Sequence, residues 1–473
     1  MQQLNVELRP IIDLKPYANN ARTHSKQQIK QIARSIERFG FTNPVLIADD
    51  DEIIAGHGRV SAAKQMGWTE VPTIRLSHLS PIERRAYVLA DNKLAENAGW
   101  DEELLAIELQ GLIDLEFEID DIGFSMTEID IILDGAQDKG PTASDGHLDS
   151  VPPILAGPAV THLGDLWHLG EHRLLCGDAR SSDDVQRLCT DPSGAIEPIA
   201  MLFTDPPYNV KIHGHVSGLG RTTHREFVEA SGEMSKEQFT EFLTTTLGTA
   251  AAQLKDGAIA YVCMDWRHMP ELLAAGDWVF DELKNLCVWN KTNGGMGTFY
   301  RSKHELIFVF KKGVAAHTNN FGLGENGRYR TNVWDYAGIS SLSSTRAEEQ
   351  AMHPTVKPVA MLADAMRDCS NRGETILNVF GGSGSTLIAA EQCGRKARLI
   401  EIDPLYCDTI LRRFEDVTGK PPTLSGTEET FTYVRQRRET DTHNSALVEE
   451  PTKRSISTQT TTDTDAAAER ALS

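Results

Sequence analysis

Four consecutive residues, Asp205-Pro206-Pro207-Tyr208, follow the apolar run IAMLFT. Such a run between turn signals reads as a buried strand, which puts the tetrapeptide at a strand's carboxyl end, where open α/β sheets bind their ligands. Two adjacent prolines fix φ and remove two amide donors, leaving backbone carbonyls facing outward between a carboxylate and a phenol ring. Rigid acceptors beside a stacking surface suit an exocyclic amine on a base turned out of its stack. A strand-ending turn is the competing reading, because Pro pairs also close elements.

A second constellation is Asn378-Val379-Phe380-Gly381-Gly382-Ser383-Gly384-Ser385-Thr386, between the apolar run ETIL and the helical pattern STLIAAEQC. Its glycines allow a tight strand-to-helix turn and the close approach of a ligand. The next apolar run, ARLIEID, ends in Glu401 and Asp403, a placement suited to a carboxylate that bridges ribose hydroxyls. The loop lacks GxxxxGK[ST] and fits GxGxxG poorly, so it offers no triphosphate cradle.

These motifs need a scaffold. From about Leu163 to Lys420, short runs such as GAIAYVCMD, HELIFVF and ETILNVF alternate with longer helical patterns, including QFTEFLTTTLGTAAAQL and VAMLADAMRDC. That alternation predicts a parallel, doubly wound sheet over residues 160–420. Residues 1–98 read as a separate small α/β module: KQQIKQIARSIERFG is helical and ends at Gly40, and NPVLIADDDEIIAGHG is a short hairpin. Residues 99–159 hold acidic amphipathic helices at 101–134, followed by a Gly, Pro, Ser and Asp linker. Residues 421–473, rich in Thr, Ser, Glu and Asp, are expected to be a disordered tail.

The 473 residues suggest about three units at roughly 150 residues per domain. Hydrophobic residues make up 40% and charged residues 24%, too apolar for a wholly disordered chain. The net charge of −21 argues at first against a nucleic-acid partner. Its distribution removes that objection, because residues 101–150 alone hold 15 acidic residues against Lys139. Seven cysteines lie far apart without a CxxC pair, so neither a disulfide framework nor a metal site is legible, and a reducing cytoplasm fits. No export signal and no run of about 18 apolar residues is found, so no membrane span is expected.

Taken together, residues 163–416 resemble the amino-group DNA methyltransferases that use S-adenosyl-L-methionine. The DPPY element precedes the FxGxG element, with His353-Pro354-Thr355-Val356-Lys357-Pro358 just before the latter, an order similar to the family's β group. The resemblance implies a Rossmann-like catalytic domain. Asp205 and the Pro206 carbonyl would hold the target amine beside Pro207, and Tyr208 would stack on the flipped base. Phe380, Gly381, Gly382, Ser383, Gly384, Ser385 and Thr386 would cradle the cofactor, and Glu401 would hold its ribose. His353, Thr355 and Lys357 would sit at its methionine end, and Asp178 in CGDA near its adenine. DPPY is commoner in enzymes acting on adenine N6 than on cytosine N4, which favours adenine. No cysteine has the Pro-Cys context of carbon-5 cytosine enzymes. One departure stands out: the glycine motif opens Asn378-Val379-Phe380 where the family usually has Asp-Pro-Phe, which puts cofactor affinity in question.

Trp289 to Glu305 resembles the family's motifs around the base pocket, with Arg301 and Lys303 as candidate phosphate contacts. Arg328, Arg330 and Asn332 fall in the interval that holds target recognition in this family and are candidate base readers. Double-stranded DNA is the partner the resemblance implies, and a homodimer is its second implication. Residues 8–98 resemble the ParB/sulfiredoxin-like domain, although Gly56-His57-Gly58-Arg59 stands where ParB proteins carry a G-E-R-R box that binds nucleotide phosphates. The rival readings are an N4-cytosine enzyme, a non-catalytic ParB-like DNA-binding protein, and a metal-dependent nuclease in the N-terminal module.

Overall fold

The computed structural model describes residues 4–115, 117, 119–137, 148–155, 157–210, 230–291, 299–322, 329–338 and 356–448. In the N-terminal module, strands β1 (Val6–Pro10), β2 (Val45–Ile47), β3 (Ile53–Ala55) and β4 (Glu70–Arg75) form a sheet in the order β1-β4-β2-β3. The expected hairpin is the antiparallel β2/β3 pair. The expected helix spans Lys26–Phe39: the Ser25 side chain accepts from the Gln28 amide at its start, and Gly40 closes it at φ 82°. Ile11, Leu14, Val45, Ile47, Ile53, Val60 and Val71 fill the core beneath this sheet.

Helices Glu102–Asp114 and Met126–Gln137 follow, packed on each other through Ala106, Leu109, Ile129 and Leu133. Their apolar residues recur at helical spacing, which leaves most of their carboxylates on the outer faces. Asp130 is the exception among the described side chains. It is buried, and its carboxylate receives Arg395 Nη1 at 3.1 Å and Nη2 at 2.8 Å from the second unit.

That unit is built on ten strands: β5 (Leu166–Leu169), β6 (His172–Cys176), β7 (Ile199–Thr204), β8 (Leu254–Met264), β9 (Glu282–Asn290), β10 (His304–Lys311), β11 (Val333–Asp335), β12 (Thr375–Asn378), β13 (Lys396–Glu401) and β14 (Thr423–Leu424). Their order is β11-β9-β10-β8-β7-β12-β13-β6-β5-β14. The parallel sheet read from the sequence is continuous only across the centre, β8-β7-β12-β13-β6, with one further parallel pair at the edge, β11 on β9. β10 runs antiparallel to both β8 and β9, and β5 antiparallel to β6. The reason lies in the connections. β9–β10 and β5–β6 are hairpins, whereas each central pair is reached by a crossover that contains a helix. Both faces of the centre are covered, which is why β7 (IAMLFT) is buried at every position.

The chain leaves β7 for β8 on one side and β12 for β13 on the other, so the crossovers diverge at the adjacent pair β7 and β12. In open α/β sheets such a point is a crevice at the strands' carboxyl ends.

The disordered tail expected from residue 421 is corrected by β14 and by a helix at Phe431–Val448. Composition missed two anchors in this polar stretch. The Phe431 ring meets Trp167 edge-on at 5.7 Å, and Arg438 bonds Asp165 through two nitrogens. Residues 449–473 lie outside the described residues. No helix among the described residues is long and apolar enough to cross a membrane.

Candidate active site

The loops after β6, β7, β12 and β13 open into one cavity of about 160 Å³. Its walls include Asp178, the run Asp205 to Tyr208, Lys357, the run Asn378 to Ser383, Ser385, Thr386, Glu401 and Asp403. Motifs nearly 200 residues apart in sequence thus meet at one place.

At the end of β7, Tyr208 donates its hydroxyl to Asp205 Oδ1 at 2.6 Å. Lys357 Nζ donates to Asp205 Oδ2 at 2.5 Å and stands 3.1 Å from Glu305 Oε2. Lys291 also pairs with Glu305. Burial pushes the Asp205 carboxyl up while the Lys357 charge pulls it back. Burial also pushes Glu305 upward, but the charges of Lys357 and Lys291 outweigh it and hold the group at about 2. The Lys357 ammonium lies 5.9 Å from the Tyr208 ring and 5.9 Å from the Trp289 ring, between two aromatic faces.

On the other wall, the turn after β12 is fixed by backbone geometry. A Cβ on Gly381 would stand 3.2 Å from the Ile400 carbonyl and 3.3 Å from Glu401 Cβ, so any larger residue would push the loop a few tenths of an ångström off β13. Gly384, at φ 82°, is the N-cap of helix Ser385–Gln392, and a Cβ there would stand 3.2 Å from the Ile410 side chain. Glu401 accepts the Gly382 amide at 2.7 Å and the Asp403 amide at 2.9 Å. Burial raises its pKa to about 7 against those bonds.

Asn378, the departure from the family pattern, has a structural use. Its Oδ1 accepts from Thr204 Oγ1 at 3.2 Å and from the Phe380 amide at 3.0 Å, while its Nδ2 donates to Thr386 Oγ1 at 2.9 Å. One amide thus ties β7, the turn and the following helix, and its donating half does what an ionised carboxylate could not. Asn378→Ala is expected to lower the unfolding free energy by about 1–3 kcal/mol, since buried Thr204 and Thr386 lose their partner. Urea denaturation checks this, and an unchanged midpoint would show the latch to be idle.

Several expectations are placed differently by the structure. Asp403 caps helix Pro404–Thr418 by accepting the Leu405 amide at 3.0 Å, so part of its carboxylate is committed to the backbone. Asp178 lines the cavity but is bridged to Arg180 at 2.8 Å. Lys357, expected beside a cofactor's methionine end, sits on Asp205. Arg330 is corrected as a base reader: its guanidinium turns inward to Asp368 at 2.8 Å and to the Tyr336 hydroxyl at 3.0 Å. The Asn332 amide donates to the Leu286 carbonyl at 3.2 Å. Arg301 and Lys303 are exposed, just ahead of β10. Arg328, His353 and Thr355 lie outside the described residues. In the N-terminal module, Arg59 donates to the Asn43 carbonyl at 2.6 Å, and His57 Nε2 accepts the Tyr17 amide at 3.2 Å, so both brace loops. Sequence reasoning passed over Phe242 and Thr246, which line the cavity from helix Lys236–Ala251, and Tyr406 from the helix after β13. Their only signal was helical apolar periodicity, which core residues share.

The family model described as DNA methylase matches residues 199–412, spanning this cavity. The ParB-methyltransferase HTH domain model matches residues 103–163, and the ParB N-terminal domain model residues 2–92. The ParB-like nuclease domain-containing protein YnaK of Escherichia coli (strain K12) is 50% identical over 84 residues, 18% of this chain and 97% of its own. The DNA adenine methyltransferase YhdJ of Escherichia coli (strain K12) is 27% identical over 244 residues, 46% of this chain and 77% of its own. Among solved structures, PvuII DNA methyltransferase (cytosine-N4-specific) covers 56% of this chain and 91% of its own at 16% identity and a TM-score of 0.40. Residues 199–412 thus match the DNA methylase family of N6/N4 type, preceded by a ParB N-terminal domain at 2–92 and a ParB-methyltransferase helix-turn-helix domain at 103–163.

Proposed function

We propose that this chain transfers a methyl group from S-adenosyl-L-methionine to the exocyclic N6 of adenine in double-stranded DNA. The observation that carries the reading is the meeting of Asp205 with the glycine turn and Glu401 in one cavity at the β7/β12 divergence. The residues fit the cofactor: the glycine turn lines the cavity, Phe380 and Tyr406 supply apolar walls for a flat heterocycle, and Glu401 offers a carboxylate to vicinal hydroxyls. Bound there, the cofactor supplies a methyl group on a sulfonium.

Asp205 and the Pro206 carbonyl accept the two hydrogens of the target amine and turn its lone pair out of conjugation with the ring. Tyr208, in the wall of the cavity, provides a face for the flipped base. That lone pair would take the methyl group as the cofactor leaves as the neutral thioether, and the amine proton released at nitrogen would pass to water. Positioning and stabilisation of positive charge at nitrogen do the work, with no covalent enzyme intermediate. The Asp of DPPY and the likeness to YhdJ, named a DNA adenine methyltransferase, support adenine over cytosine. Exposed Arg301 and Lys303 are the DNA contacts this reading favours. A homodimer in a reducing cytoplasm completes the proposal, and sedimentation of the full chain measures its oligomeric state. Incubating the chain with labelled cofactor and unmethylated DNA tests the reading, which fails if no label enters DNA.

Glu401 adds a pH dependence. With its pKa at about 7, the carboxylate is mostly protonated at pH 6 and mostly ionised at pH 8, and the ionised form accepts hydroxyl donors better. Cofactor affinity is therefore expected to rise about tenfold between those pH values, the ratio of ionised fractions for one group. Calorimetric titration at each pH checks this. A flat profile in the wild type, or an unaltered slope in Glu401→Gln, would remove Glu401 from the site.

A further inference from the structure

Both oxygens of Asp205 are already taken. The Tyr208 hydroxyl holds Oδ1 at 2.6 Å and the Lys357 ammonium holds Oδ2 at 2.5 Å. An incoming amine competes with these donors, and Lys357 has the nearer alternative partner, Glu305 Oε2 at 3.1 Å against 3.5 Å for the Tyr208 hydroxyl. Glu305, near the start of β10, lies directly opposite Trp289 of β9, and Lys291, just past the end of β9, engages its other oxygen. The four charges alternate in sign along a chain of contacts: Asp205, Lys357, Glu305, Lys291.

Lys357 is only 6% exposed, so its charge is poorly screened by water. A fixed ammonium beside Asp205 opposes methyl transfer twice: it competes for Oδ2, and it repels a nitrogen that is turning positive. We propose that Glu305 is a positioning residue for the transfer, receiving the Lys357 ammonium when the amine claims Asp205 Oδ2 and cancelling its charge during the reaction. Lys291 keeps Glu305 in place for that exchange. The inference rests on the reading of Asp205 as the amine acceptor.

The test compares wild type, Glu305→Gln, Glu305→Asp, Lys357→Met and the double variant Glu305→Gln/Lys357→Met as full chains, with single-turnover methyl transfer to unmethylated DNA and cofactor affinity both measured. Glu305→Gln is expected to slow transfer on the order of 100-fold, the scale for losing one preorganised electrostatic group, with cofactor affinity within about threefold. The double variant should transfer faster than Glu305→Gln, because the uncompensated ammonium is gone. Glu305→Asp keeps the charge and should lose less than Glu305→Gln, a distinction that holds even if the glutamine variant melts early. A Glu305→Gln rate equal to wild type, single losses that simply multiply in the double variant, or equal losses in the Asp and Gln variants would each overturn the proposal. A wild type that labels no DNA defeats the functional reading instead, so the two failures are distinguishable.

Discussion

Asp205→Ala is expected to reduce methyl transfer by a factor on the order of 10³ or more, the scale of losing the main electrostatic contact of a transition state. The substitution removes the acceptor that would draw the amine's lone pair forward and steady the positive charge on nitrogen. It leaves the fold intact, because Lys357 keeps Glu305 at 3.1 Å and is not stranded as a lone buried charge. It also leaves the cofactor's proposed contacts, which come from the turn after β12 and from Glu401 rather than from β7. Cofactor affinity by titration should therefore change little while label incorporation vanishes. Retained transfer would remove Asp205 from the mechanism, and parallel loss of transfer and cofactor binding would turn the result into a folding effect.

The second large effect concerns the joint between the units. Asp130, on helix Met126–Gln137, is 3% exposed and accepts both terminal nitrogens of Arg395, whose side chain is fully buried; Arg372 stands 3.6 Å away. Asp130→Ala leaves two guanidinium groups in a poorly solvated place without their shared counter-ion, a loss of about 3–5 kcal/mol for breaking a buried pair from one side. The two helices at 101–137 carry no Lys or Arg, so they hold no charge for phosphate, and their buried carboxylate points at the catalytic unit instead. The variant should melt several degrees lower, and limited proteolysis should cut residues 101–163 faster than in wild type. An unchanged melting temperature and cleavage pattern would show that Asp130 does not fasten this joint.

The parts of the site that were legible in the sequence are those where chemistry and local structure coincide within a few residues. Asp205 to Tyr208 close one strand, and Phe380 to Thr386 make one turn, so strand and turn rules alone place them at the sheet's carboxyl edge. The illegible parts depend on partners far along the chain. Arg330 looked free to read a base because nothing nearby in sequence announces Asp368, which reaches it from helix Val359–Cys369. Glu305 was visible only as the last residue of a resembling stretch, and its pairing with Lys357 requires β10 and the residues before that helix to converge. The mixed edges of the sheet escaped for a similar reason. An apolar run shows that a strand is buried but not which way it runs, and the direction follows from whether a hairpin or a crossover precedes it. In the tail, a polar composition masked Phe431 and Val434, two buried residues sufficient to seat a helix.

The measurement that bears most directly on the central claim is the identity of the modified nucleoside. Unmethylated double-stranded DNA incubated with the full chain and S-adenosyl-L-methionine, digested to nucleosides and separated by mass spectrometry, is predicted to yield N6-methyladenosine in its deoxy form, absent from the Asp205→Ala reaction. N4-methylcytosine in its place would contradict the adenine assignment, and DNA free of any methylated nucleoside would contradict the enzyme itself.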